Sequence, residues 1–253
     1  MRLRVAHLYP AYLNIYADRG NIAVLSRRAA LRGHELELTE IEPGASVDLA
    51  GHDLIYIGGG QDREQAMISP DLATRAPAIE AAVSNGVALL AVCGGYQLLG
   101  RGYLGRDGER LQGTGLFPHD TEAGDTRMIG DILLECTLEE DRPPIAVAGF
   151  ENHAGRTRLD PGARAFGRVV AGYGNDGTSG FEGCVVGRAI GTYLHGPLLP
   201  RNPGLADTLL RWALEHATGA PQDDLAPLPD VYEARAHAVA AARARARGGG
   251  RRA

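Results

Sequence analysis

The sequence predicts an α/β fold with a mostly parallel sheet and helices on both of its faces. Three observations support this class: short apolar runs alternate with amphipathic segments over the first hundred residues, two of those runs are almost entirely apolar, and glycines follow closely behind them. Strands that are buried on both faces appear as continuous apolar runs, and parallel neighbours require helical crossovers. A chain of 253 residues, 44% hydrophobic and 23% charged, is long enough to bury a substantial core.

Strands and helices alternate in the first half of the chain. The predicted elements are a strand at 4–9, a helix at about 21–31, a strand at 35–41, a strand at 53–57, a helix at 77–84 and a strand at 87–92. Apolar spacing assigns each type, and glycines such as Gly33 end the elements. The first three elements form one βαβ unit.

After Gly100 the glycines become frequent, which predicts an additional β-rich segment with long functional loops. Its β-like runs are 132–137, 145–148, 166–171 and 188–194, and a helix at 205–217 is expected to cover one sheet face. We therefore divide the chain into a main domain, residues 1–218, and a C-terminal segment, residues 219–253. That segment consists of a Pro- and Asp-rich linker and an Ala/Arg helix at 231–247, expected to be solvated because alanine buries little area.

The composition excludes several functions. No lysine is present, so a lysine nucleophile or Schiff base is impossible. The net charge is −5 and no aromatic residues lie between the arginines of the C-terminal helix, so no nucleic-acid binding is predicted. Three cysteines fit a reducing compartment better than a disulfide framework. We expect a cytoplasmic protein with no signal peptide and no membrane insertion, and we predict no metal site.

Cys93 has the sequence context of a nucleophile. A buried strand leads directly into it, and the small residues Ala91 and Gly95 lie two positions to either side. This spacing is typical of a nucleophile elbow, a sharp strand-to-helix turn that tolerates only small neighbours and presents the side chain at the edge of the sheet. Cys136 and Cys184 lack such a turn and are predicted to be structural.

A cysteine nucleophile also needs a base and an oxyanion hole. His195 ends a late β-like run and is the first candidate for the base, while His153, in another glycine-flanked turn, is its rival. The glycines at 58–60 follow a strand of the same predicted sheet, so the Gly60 and Gly94 N–H groups are expected to form the oxyanion hole. A phosphate-binding loop is the weaker alternative, because the nucleotide-binding glycine motifs are absent.

These residues resemble the triad-type (class I) glutamine amidotransferases, which share a flavodoxin-like three-layer fold. The general features are the elbow cysteine with Gln97 four positions later, the glycine loop and the late histidine. The resemblance is closer to the cobyric-acid-synthase-like branch, and within it to the glutaminase subunits of lipid II isoglutaminyl synthases. The matching segments are Tyr16–Ile22, Gly58–Gln65, Ala91–Leu99, Gly149–His153 and Thr192–Asn202, and the resemblance spans about Arg4 to Ala217.

The resemblance implies a glutaminase that hydrolyses L-glutamine and passes ammonia to a Mur-ligase-like partner, with which it forms a heterodimer. That partner would amidate the D-glutamate of the lipid II stem peptide. ATP and Mg²⁺ would bind to the partner, and this chain would hold no cofactor. The same resemblance assigns Gln97, Gly59 and Arg127 to substrate binding, with the Arg127 guanidinium on the α-carboxylate of glutamine; an ordinary surface salt bridge is the alternative for Arg127.

One position departs from the triad pattern. Triad-type members usually carry a glutamate two residues after the histidine, where this chain has Pro197. We hypothesise that a carboxylate of the partner, or Glu151 of this chain, completes the site on assembly. Two other functions stay open: an amidotransferase of corrinoid (cobyric acid) synthesis, and a non-catalytic assembly or regulatory subunit with the same fold.

Overall fold

The computed structural model describes residues 1–15, 19–222 and 225–248. Its strands are β1 Arg2–Leu8, β2 Glu35–Ile41, β3 Leu54–Ile57, β4 Ala88–Val92, β5 Gly102–Leu104, β6 Arg110–Gln112, β7 His119–Cys136, β8 Ile145–Leu159, β9 Gly167–Ala171, β10 Phe181–Glu182, β11 Cys184–Val186 and β12 Ala189–Thr192. Its α-helices are α1 Arg19–Ala30, α2 Asp62–Thr74, α3 Ala76–Ser84, α4 Gly94–Leu99, α5 Pro203–Thr218 and α6 Val231–Gly248. Within the described residues, no helix is both long enough and apolar enough to cross a membrane.

The central sheet has the strand order β11-β12-β4-β3-β1-β2, and every pair is parallel except β11 with β12. The crossover from β1 to β2 runs in one direction across the sheet, and the crossover from β3 to β4 runs in the other. Right-handed crossovers therefore place α1 on one face and α2 on the opposite face. Helix α5 packs beside α1, and α4 packs beside α2. The predicted α/β class with a mostly parallel sheet is confirmed.

The strand order also determines where a site can form. In open α/β sheets, ligands bind at the carboxyl ends of the strands, next to the point where the strand order reverses. The chain segments that follow β3, β4 and β12 all emerge at that edge. They contain the glycines at 58–60, Cys93 and His195.

Helix α2 was not among the sequence predictions. It contains Pro70, which cannot donate a backbone hydrogen bond and so weakens a helical pattern. The helix continues through this position because its apolar side packs against the core, where Ile68 and Leu72 are fully buried. The burial of these apolar side chains outweighs the low helix propensity of proline at this position.

The second half forms another sheet, with the order β10-β9-β7-β5-β6 and β8 paired to β7. Strands β7 and β8 are 18 and 15 residues long and form one antiparallel hairpin. The sequence predicts only their apolar ends, at 132–137 and 145–148. The remaining residues of the hairpin are polar or glycine, so their alternation is weak, and the register shifts between Ala123 and Met128.

Helix α6 is not solvated as expected. Ala240, Ala241 and Ala244 lie against the second sheet in a cluster of buried residues with Leu133, Ala148 and Ala171. Small side chains let the helix approach the strands closely. Arg28 anchors the start of this segment, because its guanidinium binds both Asp207 and Asp230. The division at residue 218 stays a prediction, and residues 223–224 and 249–253 lie outside the described part of the chain.

Candidate active site

Cys93 lies at a sharp turn between β4 and α4. Its φ is 49° and its ψ is −105°, a backbone conformation that residues other than glycine rarely adopt. Its amide donates to Thr192 O at 2.7 Å, and the Gly95 amide donates to Gly58 O at 3.1 Å. A Cβ atom on Gly95 would lie 2.8 Å from Gly58 O, so the turn requires a small residue there. The predicted elbow geometry is present.

His195 reaches the same edge of the sheet. It follows β12 by three residues, and its backbone pairs with Phe150 in an antiparallel bridge. A Cβ atom built on Gly59 would lie 2.9 Å from His195 Cε1 and 3.2 Å from Cys93 Cβ. The imidazole and the cysteine therefore flank one glycine, and Gly59 leaves the space that both side chains use.

Two backbone amides next to Cys93 are available to a ligand. Gly60 and Gly94 are buried, and their N–H groups make no hydrogen bond within the described part of the chain. The two backbones are in contact, since a Cβ atom on Gly94 would lie 2.9 Å from the Gly60 nitrogen. Buried donors without partners are rare in proteins. A pair of them beside a nucleophile is the arrangement of an oxyanion hole.

A cavity of about 530 Å³ opens over Cys93. Of the residues selected from the sequence, Gly60, Gln97 and Arg127 also line it, whereas Gly59, Gly94 and His195 are not among its described lining residues. The volume is within the usual range for small-ligand sites. The Tyr16–Asp18 part of the first matching segment lies outside the described residues.

Arg127 is held by Asn152, a residue of the other strand of the hairpin. Its Nε donates to Asn152 Oδ1 at 2.9 Å and its Nη2 donates to Asn152 O at 2.9 Å. Among the described residues, no carboxylate forms an ion pair with Arg127, so the surface salt bridge considered from the sequence is not observed there. The guanidinium keeps Nη1 for an anion in the cavity.

The proteins to which this chain is similar agree with this geometry. Residues 4–203 match the CobB/CobQ-like glutamine amidotransferase domain. The chain belongs to this family. It is a glutamine-hydrolysing amidotransferase.

Two of the three relatives compared below are similar to this chain over most of their length. The subunit GatD of the glutamine-hydrolysing lipid II isoglutaminyl synthase of Staphylococcus aureus (strain N315) is 38% identical over 213 residues, which is 84% of this chain and 85% of that protein. GatD of Streptococcus pneumoniae (strain ATCC BAA-255 / R6) is 37% identical, over 86% of this chain and 83% of that protein. The cobyric acid synthase of Pelotomaculum thermopropionicum is 30% identical, over 69% of this chain but only 37% of that protein.

A solved structure supports the fold alone. A chain of PurLQS from Thermotoga maritima superimposes with a TM-score of 0.58 at 15% identity, covering 87% of this chain and 99% of that chain.

The rival histidine of this amidotransferase, His153, has a different environment from that of a base. It is buried, its ring stacks on Tyr193 with centroids 3.6 Å apart, and its Nδ1 binds Gly155 O at 2.9 Å. Burial lowers the pKa of His153 to about 3. A group with so low a pKa is a weak proton acceptor at neutral pH, which favours His195 as the base.

Two buried carboxyl groups lie beside the His195 segment, and sequence reasoning identified only Glu151. Glu151 follows Phe150, and its oxygens accept hydrogen bonds from the Tyr173 and Gly174 amides at 2.7 and 3.0 Å. Glu182 accepts one from the Tyr193 amide at 2.6 Å. Burial raises the pKa of Glu182 to about 8 despite this bond. No sequence motif identifies Glu182, because the residues that it binds, Thr192 and Tyr193, lie at the end of another strand.

The remaining cysteines have no access to the cavity. Cys136 and Cys184 are fully buried in the core, and burial raises the pKa of the Cys184 thiol to about 12. A thiol held in its protonated form is a poor nucleophile. The described residues also contain no group of three or more side chains placed to hold a metal ion.

The raised pKa of Glu182 predicts that the stability of the folded protein depends on pH. Its folded pKa, about 8, lies above the ordinary value of 4.5, so the folded protein loses the stability contributed by this group as the pH rises through that interval. Glu182→Gln cannot ionise. Relative to wild type, its free energy of unfolding should therefore increase by at least about 2 kcal/mol between pH 5 and pH 8.

Urea unfolding at several pH values measures this difference. Glu80→Gln, on an exposed position of α3, is the matched control and should track wild type at every pH. A difference between Glu182→Gln and wild type that stays constant with pH would show that Glu182 is ionised throughout.

Proposed function

We propose that this amidotransferase is the glutaminase subunit of a lipid II isoglutaminyl synthase in the cytoplasm. It hydrolyses L-glutamine to glutamate and ammonia, and a Mur-ligase-like partner uses the ammonia to convert the D-glutamate of the lipid II stem peptide to D-isoglutamine. The observation that carries this proposal is the 38% identity to a GatD subunit over 84% of the chain. The corrinoid alternative is weaker, because the similarity to cobyric acid synthases is lower and spans about a third of their length.

The chemistry begins at Cys93. The thiolate attacks the side-chain carbonyl carbon of glutamine, a C–S bond forms, and the carbonyl electron pair moves onto oxygen. The Gly60 and Gly94 amides, which have no partner in the described chain, stabilise that oxyanion. Removal of one such donor typically costs about 10²- to 10³-fold in rate.

His195 moves the proton in both halves of the reaction. It takes the proton of the Cys93 thiol and transfers it to the amide nitrogen, so that the C–N bond breaks and ammonia leaves. It then deprotonates a water molecule, which attacks the thioester carbon. The C–S bond breaks, glutamate leaves, and the proton returns to the sulfur.

Glutamine is oriented by its charged end. Arg127 lies in the same cavity as Cys93 with Nη1 directed to no protein partner in the described residues, and it binds the α-carboxylate. Gln97 lies on the wall, where its Nε2 donates to Tyr193 Oη at 3.2 Å, and Gly59 leaves the space that the His195 and Cys93 side chains occupy.

The partner supplies what this chain lacks. Pro197 packs against α1, where a Cβ atom on Gly20 would lie 2.7 Å from Pro197 Cγ, so no acidic side chain occupies the usual triad position. A carboxylate of the ligase, or Glu151 of this chain, orients His195 in the heterodimer. ATP and Mg²⁺ bind to the ligase. Ammonia crosses the interface before water can protonate it.

Replacement of the nucleophile tests the reaction directly. In the complex of this chain with its ligase, Cys93→Ala should lower glutamine-dependent amidation at least about 10³-fold, because no covalent intermediate can form. Amidation with ammonium chloride should be unchanged, since the ligase takes ammonia from solution. Cys184→Ala is the matched control and should keep both activities. Glutamine-dependent amidation by Cys93→Ala would contradict the proposal.

Dependence on the partner gives a second prediction. If the ligase contributes the carboxylate, glutamine hydrolysis by the chain alone should be at least about 10-fold slower than in the complex, because the imidazolium is then less stabilised. Glu151→Gln should leave the rate of the complex unchanged. Equal rates for the isolated chain and the complex would refute gating, and loss of activity in a Glu151→Gln variant whose free energy of unfolding matches wild type would assign the carboxylate to this chain.

A further inference from the structure

His153 presents a hydrogen-bond acceptor that the reaction described above does not use. Its Nδ1 binds the carbonyl oxygen of Gly155, so that nitrogen carries the proton and Nε2 carries the lone pair. Nε2 is buried and has no hydrogen-bond partner among the described residues. An unpaired buried acceptor costs free energy, so a donor other than the described residues is expected to satisfy it.

The position of the ring indicates what that group is. His153 lines the cavity that also contains Cys93 and Arg127. It directly follows Asn152, the residue whose two oxygens hold the Arg127 guanidinium. Arg127 also lies close enough to lower the pKa of His153, and both side chains line this cavity, so the ring lies near the end where the α-carboxylate binds. In an amino acid the α-ammonium is attached to the same carbon as that carboxylate, and it offers three donors.

The ring is fixed in place and kept neutral. It lies parallel to the Tyr193 ring, with an interplanar angle of 4°, and it is 2% exposed. Burial and the nearby Arg156 and Arg127 guanidinium groups lower the pKa of His153. A protonated imidazole would repel an ammonium group, whereas the neutral form accepts from it.

We propose that His153 Nε2 accepts a hydrogen bond from the α-ammonium of glutamine and selects substrates that carry this group. This inference rests on the proposed glutaminase function. It makes His153 a specificity-determining residue that contacts the substrate.

Two variants separate hydrogen bonding from packing. His153→Phe keeps an aromatic ring on Tyr193 and removes the acceptor, while His153→Gln restores an acceptor oxygen close to the position of Nε2. His119→Phe is the matched control. His119 is equally buried and contacts Tyr96 edge-to-face, and it does not line the cavity.

The test compares two diazoketones that alkylate the nucleophile. The probes are 6-diazo-5-oxo-L-norleucine, which carries the α-ammonium, and 6-diazo-5-oxohexanoate, which lacks it. Mass spectrometry follows labelling of Cys93 in the full chain bound to its ligase. Wild type and His119→Phe should prefer the amino probe. His153→Phe should lose about 10-fold or more of that preference, and His153→Gln should regain part of it.

The outcomes distinguish the two proposals. If His153→Phe keeps the wild-type preference, or slows both probes equally, the hydrogen bond to the α-ammonium is refuted. If neither probe labels Cys93 in wild type, the glutaminase proposal fails and the inference fails with it. As an independent measurement, the KM for glutamine should rise in His153→Phe much more than kcat falls.

Discussion

The site depends on two backbone hydrogen bonds at the turn around Cys93. The Cys93 amide binds Thr192 O on one side, and the Gly95 amide binds Gly58 O on the other. These bonds join the carboxyl ends of three parallel strands, and they also hold Cys93 at its positive φ. Such a conformation costs roughly 1–3 kcal/mol and persists only where the surrounding structure enforces it. The bond network that makes the sheet edge is thus the one that presents the thiol.

Glycines satisfy the steric demand of this arrangement. Gly59 leaves space for both the imidazole of His195 and the side chain of Cys93, and Gly60 and Gly94 bring two amides side by side. Any Cβ atom at these positions would meet a neighbour at 2.9 Å or less. The long hairpin then closes the site from the second sheet with Arg127 and His153. In the proposed mechanism, the central sheet provides the nucleophile, the base and the amides, and the hairpin provides the groups that recognise substrate.

The sequence predicts the central sheet and the sharp turn at Cys93 well, because their signals are local: an apolar run, a cysteine and small residues at fixed spacing. Residues whose roles depend on partners far away in the sequence are harder to predict. The environment of Glu182 comes from Tyr193, and the tautomer of His153 comes from a carbonyl in a turn. Helix α6 was expected in solvent since alanine adds little area, and its docking depends on the shape of the second sheet. The two strands of the hairpin are longer than predicted, because glycines and charged residues interrupt the alternation of apolar and polar residues in the sequence.

The central claim is that Cys93, with His195 beside it, forms a covalent bond to the substrate. Acid quenching of the complex during glutamine turnover, followed by peptide mapping, tests this most directly. The account predicts a γ-glutamyl thioester on the peptide that contains Cys93 in wild type, and much less of it in His195→Asn, because its formation requires the base to transfer a proton to the departing ammonia. Turnover without any adduct on Cys93, or an adduct on Cys136 or Cys184, would contradict the account.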